Sequence, residues 1–430
     1  MFPERGTSPA AAGGDAAASS SPAGVSVRSM CLTSGWELGD PVDICSLACS
    51  QEGARFACTM SAIHTLDAQG RRCLIAGHPD EMGHADGAPS AARFNCPMGL
   101  TVDEQGGSLW VADTNNHRLR RVDLRTGQVS TVAGGLHEGA ADGVGASALF
   151  RGPWGVAMIE GALFVADAGN GAVRKLVLLP CGRCRVSTLT LSRSFGLPQA
   201  LAAGGNGKVI VVDAAVHAVC EVDTTSGIVE QVAGGAAGFA DGPCRGKGAC
   251  ARFNDPGGVA VDGVGNIFVA DKKNHRIRMI SGGTVATLAG SGKGRMDGAG
   301  DCARFNQPFA LAVDKRQLLV ADSRIDEGLL RVVRQDWPWS FARILFIGCL
   351  KCRPPHPAAA SKATKRARTT MGDGAAGCAL ALLPVEGSKG LASPLLWRIL
   401  EMVRVRLDLA LAACVSLHAD WRSRVTRCKF

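Results

Sequence analysis

Short apolar runs, separated by polar turn residues, follow one another along most of the chain. In the clearest stretch, four runs of four to six residues are rich in Val and Leu and are divided by Gly, Asn and Asp. They are Gly99–Val102, Ser108–Ala112, Leu119–Leu124 and Val129–Ala133. Runs of this length between turn residues predict β-strands. Because no long apolar run lacks charge, we expect no transmembrane helix and no membrane partner.

The same pattern recurs with a period of 45 to 58 residues. The stretch VADTNNHRLRRVD at 111–123 returns as VADAGNGAVRKL, VVDAAVHAVCEV, VADKKNHRIRMI and, more loosely, VADSRIDEGLLRVV. Each copy follows a proline by 14 to 16 residues. Self-similarity at such a period is typical of repeat architectures. Four strands per repeat with a closing Gly pair favour a β-propeller blade over a solenoid coil.

These repeats resemble the NHL repeat family. The Asn-His-Leu trio that names the family appears here as Asn116-His117 and as Asn274-His275, each followed by an Arg and an aliphatic residue. The resemblance covers about residues 41–348. It implies a ring of six blades and, among relatives, either RNA binding or a lyase site that holds metal near the central channel.

Five copies of the repeat are clear, and the residues ahead of them fit the same template. Ile63–Asp67 aligns with the third strand of a repeat and Leu74–Gly77 with the fourth. Cys58 stands where the repeated Asp is expected. We therefore predict an all-β, six-bladed β-propeller of four-stranded antiparallel blades, with a degenerate first blade. Closing the ring removes exposed sheet edges.

Composition divides the chain into four parts. Residues 1–35 are rich in Ala, Ser and Gly and lack the apolar core of a secretory signal, so we predict a disordered leader. Residues 36–348 hold the propeller, residues 349–388 a flexible basic linker, and residues 389–430 a small helical segment. We expect a cytoplasmic or nuclear protein that is not secreted, and a plastid transit peptide stays open.

The repeated Asp and His residues raise the question of catalysis. Asp113 and His117 stand together in one polar turn, and the Asp recurs in five repeats. An Asp followed by Gly, Asn or small residues is typical of tight turns, because its carboxylate accepts backbone N–H groups. An active site is built once, whereas this residue is repeated. We therefore predict a structural role, with no catalytic residues, no metal ligands and no cofactor.

In an up-and-down antiparallel blade, the turn between strands two and three lies on the same face as the linker to the next blade. The polar turns and the Asp-Gly-rich linkers should therefore share one face. We predict that this face binds a protein or peptide partner through the following residues: Arg93, Asn115, Asn116, His117, Arg118, Lys272, Asn274, His275, Arg276 and Arg304.

The Phe of the recurring Ala-Arg-Phe stretch should pack between blades, where burial of each ring stabilises the fold by roughly 1.5–3 kcal/mol. The net charge of +9 lies wholly in the tail, because residues 351–430 hold 14 Lys and Arg against 5 Asp and Glu. A neutral propeller argues against bulk phosphate binding. A local patch of Arg residues that recognises acidic peptide or RNA stays open.

Seventeen cysteines without an export signal indicate a reducing compartment rather than a disulfide framework. Two Cys-x-x-Cys pairs occur, Cys181/Cys184 and Cys349/Cys352. In a six-blade ring they fall on opposite sides, so they cannot share one zinc ion. A site that joins the second pair to Cys45 and Cys49 is the alternative to scattered free thiols.

The last residues change to helical periodicity. Their order of features resembles an F-box, a short helical module that docks on the Skp-type adaptor of cullin-RING ubiquitin ligases. The resemblance implies that residues 394–422 recruit such an adaptor. Its contacts would come from the following residues: Leu395, Leu396, Ile399, Leu400, Leu409, Val415 and Trp421. A plain amphipathic helical pair is the alternative.

The sequence therefore predicts a non-catalytic interaction scaffold. The propeller face would hold a protein or peptide, and the tail would recruit a second partner, as in a ubiquitin-ligase substrate receptor. Two alternatives stay open: an RNA-binding NHL propeller, and a metal-dependent propeller lyase or hydrolase.

Overall fold

The computed structural model describes residues 24–30, 43–244, 250–315, 317–322 and 329–335. These residues form six antiparallel sheets whose inner strands contact one another in sequence, and the sixth inner strand contacts the first. The prediction of an all-β, six-bladed propeller is confirmed. The predictions made for residues 349–430, including the basic linker and the F-box-like helices, lie outside the described residues.

Each blade has four strands, and the first strand is the innermost. Blade 1 contains Ser46–Cys49, Arg55–Cys58, Ala62–Leu66 and Arg72–Gly77. Blade 2 contains Pro97–Asp103, Ser108–Asp113, Arg118–Asp123 and Val129–Ala133. Blade 3 contains Pro153–Ile159, Ala162–Asp167, Ala172–Leu178 and Cys184–Thr188. Blade 4 contains Pro198–Gly205, Lys208–Asp213, Ala218–Asp223 and Val229–Gly234. Blade 5 contains Pro256–Val261, Ile267–Asp271, Arg276–Ser281 and Thr284–Ala289.

Blade 6 combines strands from both ends of the described chain. Its inner strands are Pro308–Asp314, Gln317–Asp322 and Leu329–Gln335, and its outer strand is Val25–Met30. The outer strand pairs antiparallel with the third strand, with Val27 opposite Val333. The expectation that residues 1–35 are entirely a disordered leader is therefore wrong for this segment. The backbone groups of the third strand require a partner, and the N-terminal strand supplies it.

Short elements complete the linkers and turns. Two-residue strands at Gly143–Val144, Gly242–Pro243 and Gly298–Ala299 add an edge to blades 3, 5 and 6. Single 3-10 turns form at Thr114–Asn116, Gly145–Ser147, Ala168–Asn170 and Lys272–Asn274. Within the ranges that the structure describes, no helix has the length and hydropathy needed to cross a membrane.

The second strand of a blade is covered on both faces. All six residues of Ser108–Asp113 are buried, because neighbouring blades pack against both sides of the sheet. The sequence of such a strand is a continuous apolar run rather than an alternation of apolar and polar residues. The third strand, Arg118–Asp123, is partly exposed at Arg118, Arg121 and Asp123. The core consists of these layers between adjacent blades.

The inner strands approach one another closely around the axis. A Cβ atom added at Gly99 would lie 2.1 Å from the carbonyl oxygen of Trp154, and one at Gly258 would lie 2.5 Å from that of Phe309. Glycine is therefore needed at both positions. The rings of Trp154 and Phe309, from blades 3 and 6 on opposite sides of the ring, lie 6.3 Å apart. These side chains narrow the central channel.

Candidate functional site

The turns between second and third strands and the linkers between blades share one face, as the sequence predicts. We call this the turn face. Its described turns lie at 59–61, 114–117, 168–171, 214–217 and 272–275. Its described linkers lie at 78–96, 134–152, 189–197 and 290–307, with part of 235–255. Asp86 of a linker and Asp113 of a turn are both bound by Arg120, which shows that the two motifs meet.

Arg120 is the centre of a buried network in blade 2. Its Nη1 atom lies 2.8 Å from Oδ2 of Asp113 and its Nη2 atom 2.6 Å from Oδ1 of Asp86. The same guanidinium donates to the carbonyl oxygens of Arg93 and Ala85 and lies 5.1 Å from the ring centroid of Phe94. The side chains of Arg120 and Asp113 are both fully buried. This arrangement joins a linker, a turn and a strand at one point.

The carboxylate of Asp113 accepts further hydrogen bonds. The backbone N–H of Asn95 donates to Oδ1 at 2.8 Å, and Nδ2 of Asn116 donates to Oδ2 at 2.8 Å. Burial raises the pKa of Asp113, while the charge of Arg120 and these hydrogen bonds oppose the rise. A buried carboxylate is tolerated when it is paired and hydrogen-bonded in this way. The predicted structural role of the repeated Asp agrees with this geometry.

Three other blades repeat the network. Arg174 pairs with Asp167 at 2.7 Å in blade 3, Arg278 pairs with Asp271 at 2.7 Å in blade 5, and Arg331 pairs with Asp322 at 3.1 Å in blade 6. Each arginine also binds the linker Asp and lies over the Phe of the linker, in the following sets: Asp142 and Phe150, Asp241 and Phe253, Asp297 and Phe305. These phenylalanines pack between blades, as predicted, whereas the buried arginines were not predicted. The one sequence feature that could have identified these arginines is the recurrence of Arg at the same position of the third strand in blades 2, 3, 5 and 6.

The turn histidines link one blade to the next. His117, His217 and His275 have φ values of 55°, 54° and 55°, in the left-handed region. Their Nδ1 atoms accept hydrogen bonds at 3.0, 3.0 and 3.1 Å from backbone N–H groups just ahead of the next blade, those of Gly152, Asp255 and Gln307. An accepting Nδ1 requires the neutral ring. Burial, aided by Lys293 and Arg276, lowers the pKa of His275.

Blades 1 and 4 depart from the network. In blade 1, Cys58 ends the second strand where the other blades have Asp, as predicted, and its Sγ lies 3.0 Å from the carbonyl oxygen of Pro97. His64 takes the place of the arginine; burial, followed by the charge of Arg72, lowers its pKa to about 4. In blade 4, Cys220 replaces the arginine. Neither blade therefore has an Arg–Asp pair at the network position.

The ten residues predicted to bind a partner divide into two groups. Asn116, Asn274, His117 and His275 make the internal hydrogen bonds described above or their counterparts in blade 5. The remaining six lie at or near the surface, with Asn115 and Arg304 exposed. Their internal contacts are as follows: Arg93 with Glu81, Lys272 with Asp255, Arg118 with the Gly135 carbonyl, Arg276 with Phe239, and Asn115 with Asn95. That they bind a partner stays a prediction.

A small cavity of about 60 Å³ lies on the axis of the ring. All six inner strands line it, and its side chains are mostly apolar, with Ser46 and Gln199 as polar exceptions. A water molecule needs roughly 10–15 Å³ of such space, so the cavity has room for a few waters. Within the described ranges, no group of three His, Cys, Asp or Glu residues has the arrangement of a metal site.

Within the ranges that the structure describes, the cysteines are thiols rather than members of disulfides. Cys181 is exposed and its neighbour Cys184 is buried, and burial raises the pKa of Cys184 to about 12. Burial likewise raises the pKa of Cys49 to about 12. The alternative zinc site that joins Cys45 and Cys49 to Cys349 and Cys352 reaches outside the described residues.

The blades and their internal networks define a six-bladed β-propeller that carries NHL repeats. The NHL repeat family matches residues 94–121 and 253–278. These two ranges hold most of the Phe, Asp, Asn, His and Arg positions of the networks in blades 2 and 5.

Two known proteins illustrate the similarity. The chain is 30% identical over 318 residues to Protein SUPPRESSOR OF QUENCHING 1, chloroplastic, from Arabidopsis thaliana, covering 68% of this chain and 30% of that protein. It is 31% identical over 290 residues to NHL repeat-containing protein 2 from Bos taurus, covering 56% of this chain and 39% of that protein. The chain thus spans well under half the length of these relatives.

Among solved structures, an auxiliary nutrient binding protein from Bacteroides thetaiotaomicron aligns with a TM-score of 0.55 at 14% identity. The alignment covers 72% of this chain and 77% of that chain. A likeness at this identity shows the propeller fold alone.

Proposed function

We propose that this chain is a non-catalytic interaction scaffold whose turn face binds a protein or peptide partner. One observation carries the proposal: the repeated Asp, Asn, His and Arg side chains of this face are engaged in internal contacts that hold the blades together. The exposed side chains of the turns and linkers, by contrast, differ from blade to blade. A rigid frame with variable loops is suited to binding, because loops positioned by a scaffold carry recognition.

The lyase or hydrolase alternative has less support. The axial cavity has room for a few waters only, and enzyme pockets for small molecules are usually several hundred Å³. Metal analysis of the purified full chain tests this alternative. A stoichiometric ion, together with loss of a hydrolytic or lyase activity on its removal, would overturn the scaffold proposal.

Cross-linking mass spectrometry on the full chain tests the scaffold proposal directly. Partners captured with the native protein should yield cross-links to Lys272, Lys273 and Lys293, which lie on the turn face. Lys208 and Lys315 lie at the turns of the opposite face and serve as internal controls. Cross-links confined to those two lysines would contradict the proposal.

Recruitment of a Skp-type adaptor through residues 394–422 stays a prediction from the order of Leu, Trp and Val positions. The full chain should retain a purified adaptor of this type on a column that also retains a known F-box protein. Failure to do so, or retention that survives Leu396→Asp with Leu400→Asp, would remove the ubiquitin-ligase component and leave the propeller proposal unaffected.

The proposed location is the cytoplasm or nucleus. A plastid is the rival location, because one relative is named as chloroplastic. Imaging of a fusion that places a fluorescent protein after Phe430 separates the two, since a transit peptide acts from the N-terminus and would carry the fusion into plastids.

A further inference from the structure

We propose that the turn face of blades 5 and 6 docks an acidic peptide segment that carries large apolar side chains. This inference rests on the scaffold proposal and names the chemistry of its partner. The surface, which we call the cationic sector, consists of Phe239, Arg252, Arg276, Lys293, Met296 and Arg304.

The charge of the turn face is unequal around the ring. Linker 78–96 carries three acidic residues against one arginine, and linker 134–152 carries two against one. Linker 290–307 carries two acidic residues against three basic ones, and the described part of linker 235–255 carries Asp241 and Asp255 against Arg252. In every one of these linkers, one Asp is bound to the buried arginine of its blade. With that Asp set aside, the linker charge is negative beside blade 2 and balanced beside blade 3, where Glu138 pairs with Arg151. Beside blade 5, Asp255 pairs with Lys272 and Lys273, and beside blade 6 the linker keeps one acidic residue against three basic ones.

The equivalent arginines of blades 2, 5 and 6 show the same asymmetry. Arg93, Arg252 and Arg304 each precede the linker Phe and pack over a glycine of the same linker. Arg93 forms a salt bridge with Glu81 at 2.6 Å. No described carboxylate forms a salt bridge with Arg252 or Arg304, and both side chains are exposed. Where the linker of blade 3 has Glu138, those of blades 5 and 6 have an alanine and Lys293.

Apolar surface lies among these cations. Phe239 is 41% exposed and Met296 is 44% exposed. The guanidinium groups of Arg276 and Arg278 lie 4.1 and 4.8 Å from the ring centroid of Phe239. A partner that places carboxylates on the arginines can therefore bury apolar side chains against Phe239 and Met296. Arginine favours such contacts, because its planar fork binds carboxylates through two hydrogen bonds.

Single-stranded RNA fits this surface less well. Its recognition depends on aromatic faces on which bases stack and on a groove of many uncompensated cations. Phe239 is the one exposed aromatic side chain of the sector, so successive bases would have no second aromatic face on which to stack. Lys272 and Lys273, which extend the sector, both pair with Asp255. The surface thus presents a few arginine guanidinium groups beside exposed apolar side chains. Guanidinium groups bind carboxylates well, so an acidic peptide fits this surface better than RNA does.

The test is a binding titration of the full chain by fluorescence anisotropy. The probe is a labelled short peptide of glutamates interspersed with leucines, compared with the same peptide carrying glutamine for glutamate and with single-stranded oligouridine. The acidic peptide should bind, and its affinity should fall with salt. Arg252→Glu with Arg304→Glu should weaken it roughly tenfold or more.

Two further variants complete the design. Lys293→Glu restores the carboxylate that blade 3 carries at this position and should also weaken binding. Arg125→Glu with Arg185→Glu changes two exposed arginines outside the sector and should leave the affinity unchanged. All variants should retain the wild-type circular dichroism spectrum. If Arg252→Glu with Arg304→Glu does not fold, the affinity of Lys293→Glu for the acidic peptide tests the proposal instead.

The outcomes separate the two proposals. Equal binding by wild type and Lys293→Glu, or no binding of the acidic peptide, overturns the cationic sector as an acidic-peptide site. Tighter binding of oligouridine than of the peptide overturns it in favour of RNA. In each case cross-links from native partners to other parts of the turn face would still support the scaffold proposal.

Discussion

Ser29 donates two hydrogen bonds to Asp297, at 2.6 Å from its backbone N–H and at 2.8 Å from its hydroxyl, across 268 positions of the chain. In blade 2, Thr131 makes the same pair of bonds to Asp86, and in blade 3 Thr188 makes them to Asp142. The N-terminal strand therefore completes blade 6 by repeating, in detail, the geometry of the outer strands of other blades.

Ser29→Ala should lower the free energy of unfolding by about 1 kcal/mol, because it removes one hydrogen bond to Asp297. Thr131→Ala is the matched control, since it removes the equivalent bond to Asp86 within a blade of continuous sequence. Urea denaturation measures both. A loss in the Thr131 variant without one in the Ser29 variant would mean that Val25–Met30 does not close the ring in solution.

Arg120→Leu should destabilise the propeller by about 3 kcal/mol, because it leaves the buried carboxylate of Asp113 without its cation. Arg125→Leu, at an exposed turn on the opposite face, should cost less than about 0.5 kcal/mol. Denaturation midpoints of the two variants provide the comparison. Similar midpoints would show that the buried ion pair adds little to stability.

His117→Gly should increase hydrogen exchange at the amide of Gly152, because the variant keeps the left-handed backbone but loses the accepting Nδ1. The expected loss of stability is about 1 kcal/mol. Blade 3 has Gly171 at this position, with a φ of 62°, so glycine fits the turn. Unchanged exchange at Gly152, measured by mass spectrometry, would contradict the linking role of His117.

His64 should make stability depend on pH. Burial lowers its folded-state pKa to about 4, below the ordinary value of 6.5, so the unfolded chain binds this proton more readily. The contribution of neutral His64 is present above pH 6.5 and is lost as the pH falls towards 4, a change of roughly 3 kcal/mol. Arg72 is the charged group that acts on it.

The check is the difference in unfolding free energy between wild type and His64→Gln across this range. The difference should shrink or reverse as the pH falls, because only the wild type has a proton to bind at this position. Parallel curves for the two proteins would mean that His64 titrates normally in the folded state.

Much of the fold could be predicted from local pattern. The period of the repeats, the four strands of blade 2 and the position of Cys58 all follow from short-range spacing of apolar and turn residues. The shared face of turns and linkers follows from antiparallel topology. The structural role expected for Asp113 follows from its recurrence, and the contacts of its carboxylate agree with it.

Other features depended on contacts that sequence spacing does not reveal. Spacing alone does not predict the burial of Arg120, which is complete because Asp86, Asp113 and the ring of Phe94 surround it. Val25–Met30 looked like part of a low-complexity leader, since its partner strand at Leu329–Gln335 is some 300 residues away. The hydroxyl of Ser29, at the position that Thr131 occupies in the outer strand of blade 2, was the sequence feature that could have identified this strand.

The sequence by itself determined the kind of repeat, the number of blades and the face that the turns share with the linkers, because these depend on periodicity and strand direction alone. The tertiary structure decided how the ring closes, which polar side chains bind one another inside it, and which charged side chains of the surface lack a salt-bridge partner among the described residues. Those properties arise from side chains of different repeats that meet only when the blades pack, and packing sets both their burial and their partners.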